Sequence, residues 1–152
     1  MTDCPKPTPK PWELPYLYIL MREDLGGSGG KIGAQTAHAA NKLETHVKRV
    51  KSNALPAGRM HESLILFDEW KESSGQGFGV TIVLAVPNFQ NLAKVITAAK
   101  EQGFLADTVF DETYPVPDPS GKFTHFVPCT TCGYIFGKKG ELAVLTERFS
   151  LL

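Results

Sequence analysis

The sequence predicts an α/β domain, a three-layer α/β/α sandwich around a four-stranded mixed sheet with one strand antiparallel. Apolar runs of strand length alternate with segments of helical period, so helical crossovers should make the connected strands parallel. The last strand follows the third with no helix between them, and is therefore expected to run the other way. With 152 residues, 42% hydrophobic and 21% charged, the chain is large enough for one full core.

Residues 1–15 contain Pro5, Pro7, Pro9, Pro11 and Pro15 and read as an extended proline-rich arm, with Trp12 placed to pin it to a domain formed by residues 16–152. Residues 16–21 form a continuous apolar run, expected as a buried central strand and ended by Arg22, Glu23 and Asp24. Gly26-Gly-Ser-Gly-Gly30 then opens into a helix. Glycines there let backbone N–H groups turn toward an anion, and the helix start adds its own unpaired N–H groups and dipole. Lys31 sits in the first turn, where a cation is disfavoured by about 0.3–1 kcal/mol unless an anion lies between them.

The helix is expected over residues 31–51. Its period places Ile32, Thr36, Ala39, Leu43, Val47 and Val50 in the core and sets Lys31, Gln35, His38, Lys42, His46 and Arg49 in a polar stripe. Gly33, Ala34, Ala37 and Ala40 would allow close approach to the sheet. Leu55-Pro56 breaks it before a second amphipathic helix over 57–72 bearing Met60, Leu64, Phe67 and Trp70. Residues 79–86 are β-branched and read as the second buried strand. Pro87-Asn88 caps a helix with Leu92, Val95, Ile96 and Ala99 inward, stopped by Gly103. Residues 105–110 form the third strand, ending at Asp111-Glu112. Residues 113–128, with Pro115, Pro117, Pro119 and Pro128, are expected as a long loop, either a functional lid or disordered. A fourth strand over 131–137 and a helix over 141–148 complete the chain.

The formal net charge is zero, so a nucleic-acid partner would have to be met by a local basic surface, here Lys31, Lys42, Lys48, Arg49, Lys51 and Arg59 against Glu44 alone. Two solvated helix faces of opposite sign explain the same pattern. No run is long enough for a secretory or membrane-spanning segment, and three cysteines make no secreted framework, so a cytoplasmic protein without a membrane partner is expected.

Parallel strands bring the glycine-rich turn and Asp111 to one edge of the sheet, and the reversed fourth strand starts there with Thr130, Thr131 and Cys132. N–H groups, Lys31, a carboxylate and hydroxyls, with Gln35 and His38 on the adjacent helix, suit hydrolysis of an activated carbonyl or phosphoryl group. Lys31 would stabilise an oxyanion while Asp111 or His38 positions or deprotonates water. Each residue also has a structural explanation, His38 as a packing histidine and Asp111 as a turn cap. A phosphate-binding Gly-x4-Gly-Lys-[Ser/Thr] loop fails, because Leu25 and Ile32 stand at its first and last positions. Gly-x-Gly-x-x-Gly fails as well. Cys129-Thr-Thr-Cys132 with His125 and Cys4 permits a Cys3His zinc site on paper, though only one knuckle is present.

Arg22-x-Asp24-Leu25, Gly30-Lys31-x-x-Ala34-Gln35-x-x-His38-Ala39-Ala40, Asp111 after a strand, and Leu145-Thr146 with Phe149-x-Leu151 resemble the archaeal and eukaryotic-type (class II) peptidyl-tRNA hydrolases over residues 16–152. The resemblance implies the same sandwich and cleavage, without cofactor or metal, of the ester between a peptide and the 3′ ribose of tRNA. It assigns catalysis to Lys31, His38 and Asp111. Substrate contacts fall to Gly30, Gln35, Thr130, Thr131 and Cys132, and phosphate contacts to Lys42 and Arg49 on the basic stretch. Two positions depart from the family pattern. Gly29 stands where the family has a further lysine, and the family's last-strand threonine falls on Cys132, with Thr130 and Thr131 just before it. A non-catalytic RNA- or protein-binding module of the same fold is the alternative, and a homodimer is left open.

Overall fold

The structure, a computed structural model, describes residues 7–53 and 57–152. The expected break at Leu55-Pro56 and the thiol of Cys4 lie outside them. The elements are β1 (Pro15–Arg22), α1 (Gly29–Ser52), α2 (Gly58–Glu72), β2 (Thr81–Val86), α3 (Phe89–Glu101), β3 (Leu105–Pro117), β4 (Thr124–Lys138) and α4 (Lys139–Thr146). None of these helices is long and apolar enough to cross a membrane.

The sheet order is β2-β1-β4-β3. β1 runs parallel to β2, with Ile19 opposite Val83, while β4 is antiparallel to both β1 and β3. The expected mixed sheet with one reversed strand is therefore the one that forms. β1 lacks polar alternation because both of its faces are covered. Leu17, Ile19 and Met21 pack under α1 and α2 with Leu43, Val47, Phe67 and Trp70. Tyr18 and Leu20 pack under α3 and α4 with Leu92, Val95, Ile96 and Leu142. Asn88 caps α3 as expected, its side chain accepting from Asn91 N at 3.0 Å. The expected extended arm over 1–15 is not uniformly extended among its described residues: Pro11–Glu13 make a 3-10 turn and Pro15 already belongs to β1, while Trp12 lies against α4, where a Cβ placed on Gly140 would stand 3.0 Å from the Trp12 Cβ.

Three further expectations are corrected. The strand expected to be buried over 79–86 is β2 at the sheet edge, beginning at Thr81 and buried only over Leu84, Ala85 and Val86; Thr81 is exposed and Ile82 and Val83 are half-buried. Gly33, Ala34 and Ala37 face solvent, because α1 buries the i, i+4 line Gln35, Ala39, Leu43 and Val47 against the sheet. Residues 113–128 are no loop: β3 continues to Pro117 and β4 begins at Thr124, with Pro115 opposite Phe126 and Pro117 opposite Thr124. Prolines are tolerated there because β3 is the outermost strand, where a missing N–H removes no ladder bond.

The sheet approaches α3 closely at Gly133, where an added Cβ would stand 2.9 Å from Ile96 Cδ1 and 3.0 Å from the Asp107 carbonyl oxygen. Gly133→Ala should overpack this layer and cost about 1–3 kcal/mol. The check is a lower urea midpoint with an unchanged slope, and a midpoint equal to that of the parent would show that α3 can move away freely.

Candidate active site

At the edge where β1 ends, Ser28 precedes α1 in an extended conformation and Ile32 N is bonded to Ser28 O at 2.9 Å. The N–H groups of Gly29, Gly30 and Lys31 stand outside the helical ladder, as at any helix start. Among the glycines of this turn only Gly26 has a positive φ, 60°, and a Cβ on Gly29 or Gly30 would meet nothing within 4 Å. The turn thus depends on one glycine conformationally, not on four.

Lys31 reaches across to β3. Its ammonium donates to the Pro115 carbonyl at 2.5 Å and lies 5.1 Å from the centre of the Tyr114 ring. One donor is used and two remain. Tyr114 is buried, and a Cβ at Gly27 would stand 3.5 Å from its hydroxyl, so the tyrosine spans from hairpin to turn. On the other wall Arg22 holds Asp24 through Nε (2.9 Å) and Nη2 (2.7 Å) and donates from Nη1 to the Thr130 carbonyl at 2.7 Å. Between these walls lies a cleft of about 180 Å³ lined by Arg22, Gly27, Lys31, Gln35, Tyr114 and Thr131 among others.

Gln35 is the joint of the site. It was expected on the exposed polar stripe but is only 3% exposed. Its Nε2 donates to Asp111 Oδ2 at 2.6 Å and its Oε1 accepts from the Thr131 hydroxyl at 2.5 Å. Asp111 Oδ1 accepts from Thr113 N (2.8 Å) and Oγ1 (3.1 Å). Burial works against the Asp111 carboxylate, but the bonds from Gln35 and Thr113 and the positive field of His38 outweigh it and hold its pKa below the ordinary carboxylate value.

Two register shifts aim these groups. Val109 pairs with Cys132 but Phe110 with Thr130, so Thr131 is an extra residue in β4, and a second shift follows between Asp111 and Tyr114. Neighbours in a strand normally face opposite ways. Here Thr131 and Cys132 both face α1, the thiol donating to Gln35 O at 3.6 Å. The hydroxyl in the site is therefore that of Thr131, one residue before the position to which the family likeness points, and Cys132 belongs to the core.

The structure brings Lys31, Gln35, Asp111 and Thr131 together, with Gly30 in the first turn beside them. His38 stands exposed one turn beyond Gln35, and Thr130 contributes its carbonyl to Arg22. Lys42 and Arg49 are not at the cleft. At 1.5 Å per residue, Lys42 lies about 16 Å down the helix from Lys31. The expected basic surface is also partly neutralised: Lys42 pairs with Asp107, Lys51 with Asp68 and Arg59 with Glu141. Burial raises the thiol of Cys129 and pushes that of Cys132 up to about 11, so neither is a ready thiolate. Among the described residues no group of three His, Cys, Asp or Glu is placed to hold a metal. Sequence reasoning missed Tyr114, which was read as loop, and the clamp by Arg22, for which the Arg22-x-Asp24 spacing at a strand end was the available signal.

Two comparisons with known proteins bear on this arrangement. The family model described as Peptidyl-tRNA hydrolase PTH2 matches residues 16–152. A protein of Thermoplasma volcanium called peptidyl-tRNA hydrolase is 31% identical over 103 residues, covering 68% of this chain and 74% of that relative.

Thr131→Val keeps the shape of the side chain but leaves the buried Gln35 carbonyl without its donor. It should destabilise the fold by about 1–3 kcal/mol. Chemical denaturation measures this directly, and an unchanged midpoint would mean that Gln35 finds another donor.

Proposed function

Since the chain belongs to the PTH2 family and hydrolyses peptidyl-tRNA, we propose that the cleft between the start of α1 and the root of the β3–β4 hairpin is where the ester is cleaved. The single observation that supports it most is the Thr131–Gln35–Asp111 chain of short hydrogen bonds, which fixes a carboxylate at the same sheet edge where the Lys31 ammonium crosses from the helix start to the Pro115 carbonyl.

Hydrolysis joins water oxygen to the ester carbonyl carbon, passes through a tetrahedral oxyanion, and breaks the bond to the ribose oxygen, leaving a peptide carboxylate and a free tRNA hydroxyl. The two free donors of Lys31 and the N–H groups of Gly30 and Lys31 supply the oxyanion's hydrogen bonds. Asp111, with its pKa held low, is a weak proton acceptor at neutral pH, so its role is chiefly to orient the attacking water and to favour the positive charge that water acquires as it bonds. Gln35 and Thr131 hold that carboxylate. His38, exposed beside it, exchanges the released proton with solvent. Lys31 takes the part of the lysine that the family has at the position of Gly29. Lys48 and Arg49, in no ion pair among the described residues, attract the tRNA backbone along α1, and the cytoplasm is where this substrate would be met. No observation favours the non-catalytic alternative.

Lys31→Ala and Asp111→Asn should each lower kcat by about 10²-fold or more while leaving the fold intact. Hydrolysis of N-acetyl-aminoacyl-tRNA checks this, and full activity in either variant removes that residue from the mechanism. Because the Asp111 pKa is depressed on folding, its ionised form and the stability it brings persist above the ordinary carboxylate value of about 3.9 and are lost as pH falls through the lower, folded-state value. The acid limb of the rate profile should therefore lie below about pH 4, and Gln35→Leu should move it upward. A limb near 6 would report a histidine instead.

A further inference from the structure

Beyond the bulge, the β3–β4 ribbon leaves the rest of the sheet. The last β1 partner on β4 is Cys132, so residues 124–131 of β4 have β3 on one side and no strand on the other. Arg22 Nη1 occupies the Thr130 carbonyl at the base of this open edge. Among the described residues, β3 is the one strand that pairs with residues 124–130, and no turn, loop or cap backbone hydrogen bond reaches them from another segment. The edge borders the cleft, which Arg22 and Thr131 line. Phe126 is 67% exposed and Val127 40%, and as neighbours in a strand they face opposite sides of the ribbon.

The charge pattern separates this surface from the rest of the molecule. Between residues 113 and 130 the only formal charges are Asp118 and Lys122, and the Asp118 carboxylate is used in closing the turn, accepting from Ser120, Lys122 and Phe123. Elsewhere, Lys48 and Arg49 stand side by side on α1 in no ion pair among the described residues, whereas the ribbon carries a single ammonium, that of Lys122 in its far turn. The substrate has two arms diverging from its ester, one polyanionic and one peptidic. A ribbon of zero net formal charge, with Phe126 and Val127 exposed beside an unpaired backbone edge, complements the second, and its one ammonium, that of Lys122, stands in the far turn outside the cleft lining.

We propose that the open edge of β4, with Phe126 and Val127 on its two faces, is the subsite for the peptide arm of the substrate, an assignment that rests on the hydrolase reading above. The peptide adds alongside residues 124–130 as a strand, its backbone bonding to the free edge and its side chains alternating onto Phe126 and Val127. Main-chain hydrogen bonds are the same for every residue except proline, so such a subsite accepts peptides of arbitrary sequence while favouring apolar ones.

The test measures kcat/KM on N-acetyl-aminoacyl-tRNA and on tRNA esterified with a tetrapeptide of alanine and leucine, for the parent chain, Phe126→Ser and Val127→Ser. The parent should favour the tetrapeptidyl substrate by about 10-fold or more, the effect of burying roughly one apolar side chain. In the variants that advantage should fall to about 3-fold or less. An equal loss on both substrates would assign the ribbon to the tRNA and overturn the proposal. So would a parent without preference, or variants that keep it. Failure of the parent to hydrolyse either substrate is a separate result, which removes the hydrolase reading and the subsite with it.

Discussion

The site depends on one buried amide. Gln35 lies on the core line of α1, where an apolar residue would ordinarily sit, and its two polar atoms are both committed: the oxygen to Thr131 of β4 and the nitrogen to Asp111 of β3. A buried amide left unpaired costs about 1–3 kcal/mol per group, so each bond is held in place by the penalty for losing it. The same amide ties three elements into one register. If α1 rotated, both partners would be lost together, and if β4 slid by a residue the bond to Thr131 would be lost.

That constraint explains why the strands are irregular where the chemistry is. A regular β4 would send the side chain of Thr131 to the α3 side of the sheet. The extra residue turns Thr131 and Cys132 to the same face, and the second shift before Tyr114 lets Asp111 and Tyr114 both address the α1 side. Bulges beside active sites re-aim side chains in this way. Arg22 completes the frame by joining the turn after β1 to the Thr130 carbonyl, so the cleft has a rigid wall on each side.

Much of this was legible in the residues. The unbroken run of β1, the Asn88 cap of α3 and the lack of a crossover before β4 were enough for the sheet and its reversed strand, and strand polarity alone brought Lys31, Asp111 and Thr131 to one edge. What escaped were features without a local signature. A bulge depends on how two strands pair across the sheet, which neither strand records by itself. The hairpin at residues 113–128 was obscured because its prolines argue against a strand unless the strand is known to be an edge, and edge position is a property of the whole sheet. Gln35 looked like a surface residue because helical period fixes neighbours on a face and not how deep that face is set. The basic stretch was counted along the chain from Lys31 to Arg59, whereas Asp107, Asp68 and Glu141, which neutralise half of it, lie further on in β3, α2 and α4.

The ammonium of Lys31 is anchored by a main-chain carbonyl, that of Pro115, and not by a carboxylate. Such an anchor is indifferent to side-chain identity: residues of the hairpin can drift in type without displacing the lysine, so long as the strand keeps its path. Its length is another matter. Inserting or deleting one residue between Asp111 and Pro115 would bring a different carbonyl to the lysine and turn Tyr114 to the other face. Among variants of this chain, the hairpin root should therefore be permissive to substitution and strict about spacing, the reverse of what is usual for a surface loop.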